Sequence, residues 1–175
     1  DVRGVVDQDL NEIFVVNLGR AIGTYAISHD IKAMAVGRDC RLSSESYQKY
    51  LIQGLNAAGI DTIDIGLCAT PMLYYSIRHL GTGGGVMVTG SHNPPDYNGM
   101  KFVREGSRPI SGDTGLFTMR DWLAAQLTEN LVPGTKFSVI GGGRGSDMCS
   151  RPAGAISSTC WAMSIGRSCA ASRSS

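Results

Sequence analysis

The sequence predicts an α/β fold in which a largely parallel sheet is covered by helices. Short apolar runs bounded by glycine, proline or asparagine alternate with longer stretches whose apolar residues recur at helical spacing. Successive parallel strands need a crossover between them, and a helix is the usual crossover, so this alternation favours parallel pairing. The pattern persists to about residue 135 of the 175.

Four helices and four strands are predicted in that part of the chain. The helices cover about 13–27, 44–58, 71–80 and 113–129, and the N-terminal caps of the last three are Ser43 or Ser44, Thr70 and Ser111. The strands cover about 32–39, 61–66, 85–88 and 100–103.

The composition argues against several classes of partner. A net charge of +1 gives no case for nucleic acid or for an anionic membrane surface. No apolar run approaches the roughly 20 residues that span a bilayer. The five cysteines are an odd number, and Cys40 and Cys68 in the patterned part have no metal-binding spacing, so we expect reduced thiols and a cytoplasmic protein.

The segment 136–175 differs from the segment 1–135. It carries five of the 16 basic residues and one of the 15 acidic residues, which gives it a charge of +4 against −3 for the rest. Rich in glycine, serine and arginine, it shows neither helical nor strand periodicity, so we predict an irregular tail. Three interpretations stay open: a disordered segment, a basic segment that binds an acidic partner, and a frame-shifted or otherwise non-native continuation.

The stretch 86–102, VMVTGSHNPPDYNGMKF, places Ser91 at the exit of a buried strand and in a loop held by prolines. Functional side chains favour such loops, because a rigid scaffold positions them and leaves them accessible. A hydrolase nucleophile would require the G-x-S-x-G pattern. Thr89 and Asn93 occupy its two glycine positions, so that alternative fails. The glycines of 81–85 precede a strand and are interpreted as a turn.

Polar residues that follow two of the strands are expected to lie at one edge of the sheet. Arg38 and Asp39 follow one strand, whereas Ser91 and His92 follow another. Ligands of such sheets bind beyond the carboxyl ends of the strands.

The residue types around Ser91 indicate a phosphate site. A hydroxyl with His92, Asn93, Lys101 and separate arginines offers one nucleophile and several donors to a dianion, which is what phosphoryl transfer requires. Each residue also has a plainer interpretation: His92 as a structural hydrogen-bonding group, Lys101 as an exposed edge lysine and Arg3 as a surface charge.

The sequence TGSHNPPDYNGMKF closely resembles the phosphoserine loop of the α-D-phosphohexomutases, in the phosphomannomutase/phosphoglucomutase branch. The stretches DVRGVV, GRAIG, VGRDCRLSS, GLNAAGIDTIDIGLCATPMLYYS and RPISG match that family in the same order. The resemblance covers about 1–130. It implies the first of four domains, a three-layer α/β/α unit with a mostly parallel mixed sheet, here at 1–135 and clipped at its N-terminus.

The resemblance also implies roles for individual residues. Ser91 would be the phosphoserine that exchanges its phosphoryl group with a hexose phosphate and a hexose 1,6-bisphosphate, and it would ligate Mg²⁺. His92 and Lys101 would assist proton transfer and stabilise the transferring charge, and Arg3 would contact the phosphoserine. Support for the loop or for the phosphate would come from three further residues: Asn93, Arg38 and Asp39.

The family's metal loop, of the Asp-Gly-Asp-Gly-Asp-Arg type, is absent from this sequence, and so are its sugar-discriminating and second phosphate-binding loops. The resemblance assigns all three to downstream domains. We therefore expect phosphosugar mutase chemistry (an isomerase, or intramolecular phosphotransferase) with little turnover by this chain alone. A non-catalytic module that binds phosphate or sugar phosphate, and a non-functional truncated product, are the alternatives.

Overall fold

The computed structural model describes residues 1–110 and 112–130, together with 139–141 and 161–163. Six strands form one sheet. Five of them lie side by side in the order β1-β5-β4-β2-β3. The sixth, β6, pairs with Val103 and Arg104 at the end of β5, beyond the residues that pair with β1. Their bounds are β1 Val2–Val5, β2 Ala33–Arg38, β3 Asp61–Leu67, β4 Gly84–Val88, β5 Tyr97–Arg104 and β6 Arg108–Pro109.

The sheet is mixed, and most of its strands point the same way. β2 pairs in parallel with both β3 and β4, whereas β5 is antiparallel to β4, β1 and β6. It follows that β5 runs against the other five strands. The reason is its connection: β4 and β5 are joined by a loop without a crossover helix, which permits only antiparallel pairing at this distance. The predicted fold class is confirmed.

Four helices connect and cover the strands: α1 Glu12–Ile27, α2 Ser44–Ala57, α3 Thr70–His79 and α4 Phe117–Asn130. A 3₁₀ turn at Glu105–Ser107 and a π-helical turn at Gly112–Leu116 lie between β5 and α4. The first three helices follow the predicted positions closely, while the region predicted as one helix from 113 is divided between the π turn and α4.

The predicted caps are confirmed only in part. Ser43 is the N-cap of α2, but its side chain makes no capping hydrogen bond, and Ala69 rather than Thr70 is the N-cap of α3. Ser111, the third predicted cap, lies outside the described residues. On α1, the N-cap is Asn11, whose Oδ1 accepts a hydrogen bond from the backbone N–H of Phe14 at 2.9 Å.

Two hydrophobic clusters occupy the two faces of the sheet. The larger cluster includes residues of α1, α2 and α4, such as Phe14, Leu51 and Met119, together with Val86 and Phe102 of the sheet. The smaller cluster joins α3 to the opposite face and consists of Ala35, Leu73, Ile77, Met87 and Val103. Helices therefore lie on both faces, which gives the three layers that the resemblance implied.

The helices α1 and α2 approach each other at a pair of glycines. A Cβ atom on Gly19 would lie 2.9 Å from Gly54 Cα, and one on Gly54 would overlap the carbonyl oxygen of Val16. Backbone contact of this kind brings the two helices close to each other. Side chains at either position would push them apart.

Several short strands were not predicted. β1 and β6 were overlooked because they are four and two residues long and lie next to polar residues. In the segment 136–175, Val139–Gly141 (β7) and Trp161–Met163 (β8) form a parallel pair. The rest of the predicted irregular tail lies outside the described residues. Among the described helices, none is both long and apolar enough to cross a membrane.

Candidate functional site

The loop between β4 and β5, residues 89–96 (the serine loop), exposes Ser91 in an unusual backbone conformation. Ser91 has φ +55°, in the left-handed region that non-glycine residues seldom adopt. Its N–H donates to Thr89 Oγ1 at 2.9 Å, and its Oγ lies 3.1 Å from Nδ1 of His92. Both side chains are exposed. The arrangement presents to solvent a hydroxyl with a nitrogen base in hydrogen-bonding range.

Arg41, just beyond β2, holds the serine loop through its guanidinium group. Nη1 donates to the carbonyl oxygens of Pro94 at 2.6 Å and Tyr97 at 2.9 Å. Nη2 donates to those of Asn93 at 2.7 Å and Ser91 at 3.2 Å. Four carbonyl groups in and next to one loop are thus bonded to a single side chain.

Asp39 connects the loop to β2 and α2. Its carboxylate accepts hydrogen bonds from Ser44 Oγ at 2.5 Å, from Arg41 N at 3.0 Å and from Gly90 N at 3.2 Å. Burial would raise the pKa of Asp39, but these bonds and one from the Thr89 side chain outweigh burial and hold that pKa below its ordinary value. Asp39 therefore stays ionised and structurally bonded at neutral pH.

A buried amide completes this network. Asn98 Nδ2 donates to Ser43 Oγ at 2.8 Å and to Ser44 Oγ at 3.0 Å, while its Oδ1 accepts from Gly99 N at 2.8 Å. Since Ser44 also bonds Asp39, the first residues of α2 link the two ends of the serine loop. The hydroxyls are thus used in joining the loop to the helix.

Arg3 and Lys101 lie on one face of the sheet beside the loop. Arg3 is 7% exposed, and its Nη1 donates to the carbonyl oxygens of Val2 at 2.6 Å and Met100 at 3.2 Å. It packs over Gly99, where a Cβ would lie 2.7 Å from Arg3 Cδ, and residue 101 shares that face. Lys101 Nζ lies 5.8 Å from the centroid of the Tyr74 ring on α3.

Arg3 remains a cation at neutral pH. Burial lowers the pKa of Arg3 to about 10; the charge of Asp39 opposes that shift and the charge of Arg41 adds to it. These electrostatic interactions associate Arg3 with the residues that anchor the serine loop.

The predicted residues are thus brought together to different degrees. Ser91 and His92 are in direct contact, Asp39 bonds the backbone of the loop, and Asn93 is held through Arg41. Arg38 is separate from these contacts: its Nη2 lies 3.8 Å from Glu45 Oε2 on α2. Cys40 and Cys68 are both free thiols.

The sequence predicted Ser44 only as a helix cap, and it did not indicate roles for Arg41 and Gly90. Arg41 bonds backbone carbonyls, which leave no pattern of residue types to recognise. The available indication was the loop itself, since Pro94 and Pro95 carry no N–H and a loop with fewer donors needs donors from elsewhere.

The residues present do not themselves fit a Mg²⁺ site. Mg²⁺ prefers octahedral coordination by oxygen, commonly through one or two carboxylates. Within the described part of the chain, no three His, Cys, Asp or Glu side chains cluster as metal ligands. Ser91 Oγ offers one oxygen and neighbours a nitrogen.

A family model and individual relatives of known sequence point to the same protein family. The family model for phosphoglucomutase/phosphomannomutase, alpha/beta/alpha domain I, matches residues 1–116. Phosphohexose mutases of Xanthomonas campestris pv. campestris (strain B100) are 51% identical over 125 residues, which is 71% of this chain and 27% of the relative. Phosphomannomutase of Salmonella typhimurium is 51% identical over 116 residues, which is 66% of this chain and 25% of the relative.

Solved structures agree with this result. A phosphoglucomutase/phosphomannomutase family protein from Burkholderia thailandensis superposes with a TM-score of 0.62 at 35% identity, covering 73% of this chain and 28% of the other. A putative phosphomannomutase from Thermus thermophilus gives 0.62 at 29% identity, covering 70% and 27%. The chain spans about a quarter of the length of the curated relatives that it matches.

Proposed function

We propose, from the premise that the chain belongs to the phosphoglucomutase/phosphomannomutase family and contains its α/β/α domain I, that Ser91 carries a phosphoryl group exchanged with a hexose phosphate. The activity would be that of a phosphosugar mutase, which moves phosphate between C1 and C6 through a hexose 1,6-bisphosphate. The chain would contribute the phosphoserine, and the segments that its relatives have beyond this domain would contribute the rest.

The observation that carries the proposal is the contact of Ser91 Oγ with His92 Nδ1 at 3.1 Å on an exposed loop. When Nδ1 is unprotonated, it can accept the hydroxyl proton as Oγ attacks a phosphorus atom. One Oγ–P bond then forms and the bond from phosphorus to the sugar oxygen breaks. The leaving sugar oxygen takes up a proton from water, which regenerates the sugar hydroxyl, while the proton of the serine hydroxyl stays on His92.

The charge on the transferred group calls for cations beside the loop. A phosphoserine carries about −1.5 to −2 at neutral pH. Arg3 and Lys101 on the neighbouring sheet face are the cations that would reduce its repulsion of an incoming phosphate. Since no three His, Cys, Asp or Glu side chains cluster in the described part of the chain, a divalent metal such as Mg²⁺ would need further ligands from elsewhere in the protein.

The test of this proposal is phosphorylation of the protein itself. The full chain is incubated with glucose 1,6-bisphosphate and Mg²⁺, and its intact mass is measured over time. We expect the gain of one phosphoryl group, and its loss in Ser91→Ala. Ser107→Ala is the matched control, because Ser107 is also a left-handed serine, with φ +62°, on another turn.

Phosphorylation that persists in Ser91→Ala would refute the assignment. Binding of a sugar phosphate without any mass gain would instead favour the non-catalytic binding module.

A further inference from the structure

The guanidinium of Arg41 bonds to the backbone of Ser91 and to three other carbonyl groups of the same polypeptide turn. We infer that Arg41 is a positioning residue for Ser91: it sets the backbone of the serine loop and through it the direction of Oγ. The inference rests on the proposed function, because the direction of Oγ matters for the reaction only if Ser91 accepts phosphate.

The loop needs a donor of this shape. Pro94 and Pro95 have no N–H, so carbonyl groups outnumber the amide donors that could satisfy them. Arg41 supplies donors to these part-buried and exposed carbonyls through a rigid planar fork of five N–H groups. Two of its nitrogens serve the four carbonyls, while Nε lies 3.4 Å from Asp39 Oδ2.

The guanidinium is enclosed by the loop that it holds. The Arg41 side chain is only 17% exposed. At Gly90 a Cβ atom would overlap both Cζ and Nε of Arg41, and it would lie 2.8 Å from the Tyr97 carbonyl oxygen. The absence of a side chain at position 90 is therefore what allows the guanidinium to lie against the backbone.

Both the N–H and the carbonyl group of Ser91 are hydrogen-bonded, and the two side chains that bond them also interact with Asp39. The Ser91 N–H donates to Thr89 Oγ1, and its carbonyl accepts from Arg41 Nη2. Thr89 and Arg41 both interact with the Asp39 carboxylate. A left-handed serine is unfavourable by itself and persists only where its surroundings over-determine it. Arg41 contributes to holding this conformation by its hydrogen bond to the Ser91 carbonyl oxygen.

The test uses the full chain with Arg41→Met and Arg41→Lys, and Arg120→Met as the matched control. Arg120 has a side chain 20% exposed and pairs with Asp121 on α4, away from the loop. Two quantities are measured for each protein. One is amide hydrogen exchange of a peptide covering 89–98; the other is the rate at which glucose 1,6-bisphosphate phosphorylates Ser91.

In Arg41→Met we expect exchange in 89–98 to accelerate about tenfold, because charge-assisted bonds that close the loop are lost, while exchange in α1 is unchanged. The phosphorylation rate should fall about a hundredfold, as expected for a reacting group displaced by about 1 Å. Arg41→Lys should restore both the slow exchange and the phosphorylation rate in part, because its ammonium group is charged but has only three donors. Arg120→Met should match the wild type.

Three outcomes would overturn the inference. They are unchanged exchange in both Arg41 variants, faster exchange with an unchanged phosphorylation rate, and an effect of Arg120→Met as large as that of Arg41→Met. A wild-type chain that never gains phosphate would refute the proposed function instead. The exchange measurement would then still decide whether Arg41 holds the loop. If Arg41→Met fails to fold, the exchange and phosphorylation rates of Arg41→Lys are compared with those of the wild type instead, and unchanged values would overturn the inference.

Discussion

Ser91 Oγ and His92 Nδ1 lie 3.1 Å apart although the two residues are neighbours in the chain. In an extended strand, successive side chains point to opposite sides. Ser91 lies in the turn beyond β4, which ends at Val88, and its left-handed conformation brings its hydroxyl to the same side as the His92 ring. The hydroxyl and its potential base therefore depend on one backbone conformation.

His92→Gln should slow phosphorylation of Ser91 by glucose 1,6-bisphosphate about 10²–10⁴-fold, which is the usual contribution of a positioned general base. Glutamine keeps a similar length and polarity but does not accept the proton at neutral pH. Intact mass over time gives the rate. His79→Gln is the control, because His79 is a second exposed histidine on α3. Equal rates for His92→Gln and wild type would exclude His92 as the base.

Asp39→Asn should destabilise the protein at pH 7 by about 1.5–3 kcal/mol, the range for hydrogen bonds to a charged group. The pKa of Asp39 is lowered on folding from its ordinary value of 3.8, so its stabilisation is fully present above that pH. It is lost as the pH falls through the lower, folded value. Urea unfolding of both proteins between about pH 7 and pH 2.5 should show their difference shrinking below the ordinary pKa of 3.8. A difference that is constant over this range would contradict the assignment.

Gly54→Ala should lower the free energy of unfolding by about 1–3 kcal/mol or more, the usual cost of overpacking. The added methyl group would overlap the Val16 carbonyl oxygen on α1, which is backbone and cannot rotate away. Gln53→Ala, at an exposed position of the same helix, is the control and should be nearly neutral. Chemical denaturation of the three proteins gives the comparison. A neutral Gly54→Ala would mean that the two helices separate at little cost.

Much of the fold could be predicted because its determinants are local. Apolar residues at helical spacing indicate α1 and α2, and apolar runs next to glycines indicate β2 and β4. β1 could not be predicted in this way. It has four residues and depends for its stability on pairing with β5, roughly 95 positions further along the chain. Long-range pairing leaves no periodicity in so short a segment.

In the candidate site, too, residues with a local sequence signal could be predicted, whereas those that depend on long-range contacts could not. Ser91, His92 and Asp39 could be predicted because their residue types at strand ends suggest chemistry. Arg41 could not, because its partners are backbone carbonyl groups whose direction depends on the folded loop. Arg38 was expected beside the loop, but its side chain is directed to Glu45. The direction in which a residue at a strand end points depends on the register of the sheet, which the sequence alone does not reveal.

By itself, the 175-residue chain should not interconvert hexose 1- and 6-phosphates at a useful rate. Its sequence contains no Asp-Gly-Asp-Gly-Asp-Arg run, and Ser91 Oγ alone is a poor partner for a metal that binds through carboxylates and keeps its waters. The resemblance also assigns the loop that would hold the distal phosphate of a bisphosphate to the downstream domains. Neither the metal nor the sugar would therefore be held in place.

Positioning of the substrate can account for roughly 7–11 kcal/mol of a reaction barrier. Losing half of that would slow turnover about a thousandfold or more, at roughly 1.36 kcal/mol per tenfold change in rate. A coupled assay with glucose 1-phosphate, glucose 1,6-bisphosphate and Mg²⁺ measures turnover, with Ser91→Ala as the blank. We expect phosphorylation of Ser91 to be detectable in the same sample while turnover stays at the blank level. Turnover within about tenfold of an ordinary kcat of about 10 per second, abolished by Ser91→Ala, would mean that this chain alone holds the sugar and neutralises its phosphates.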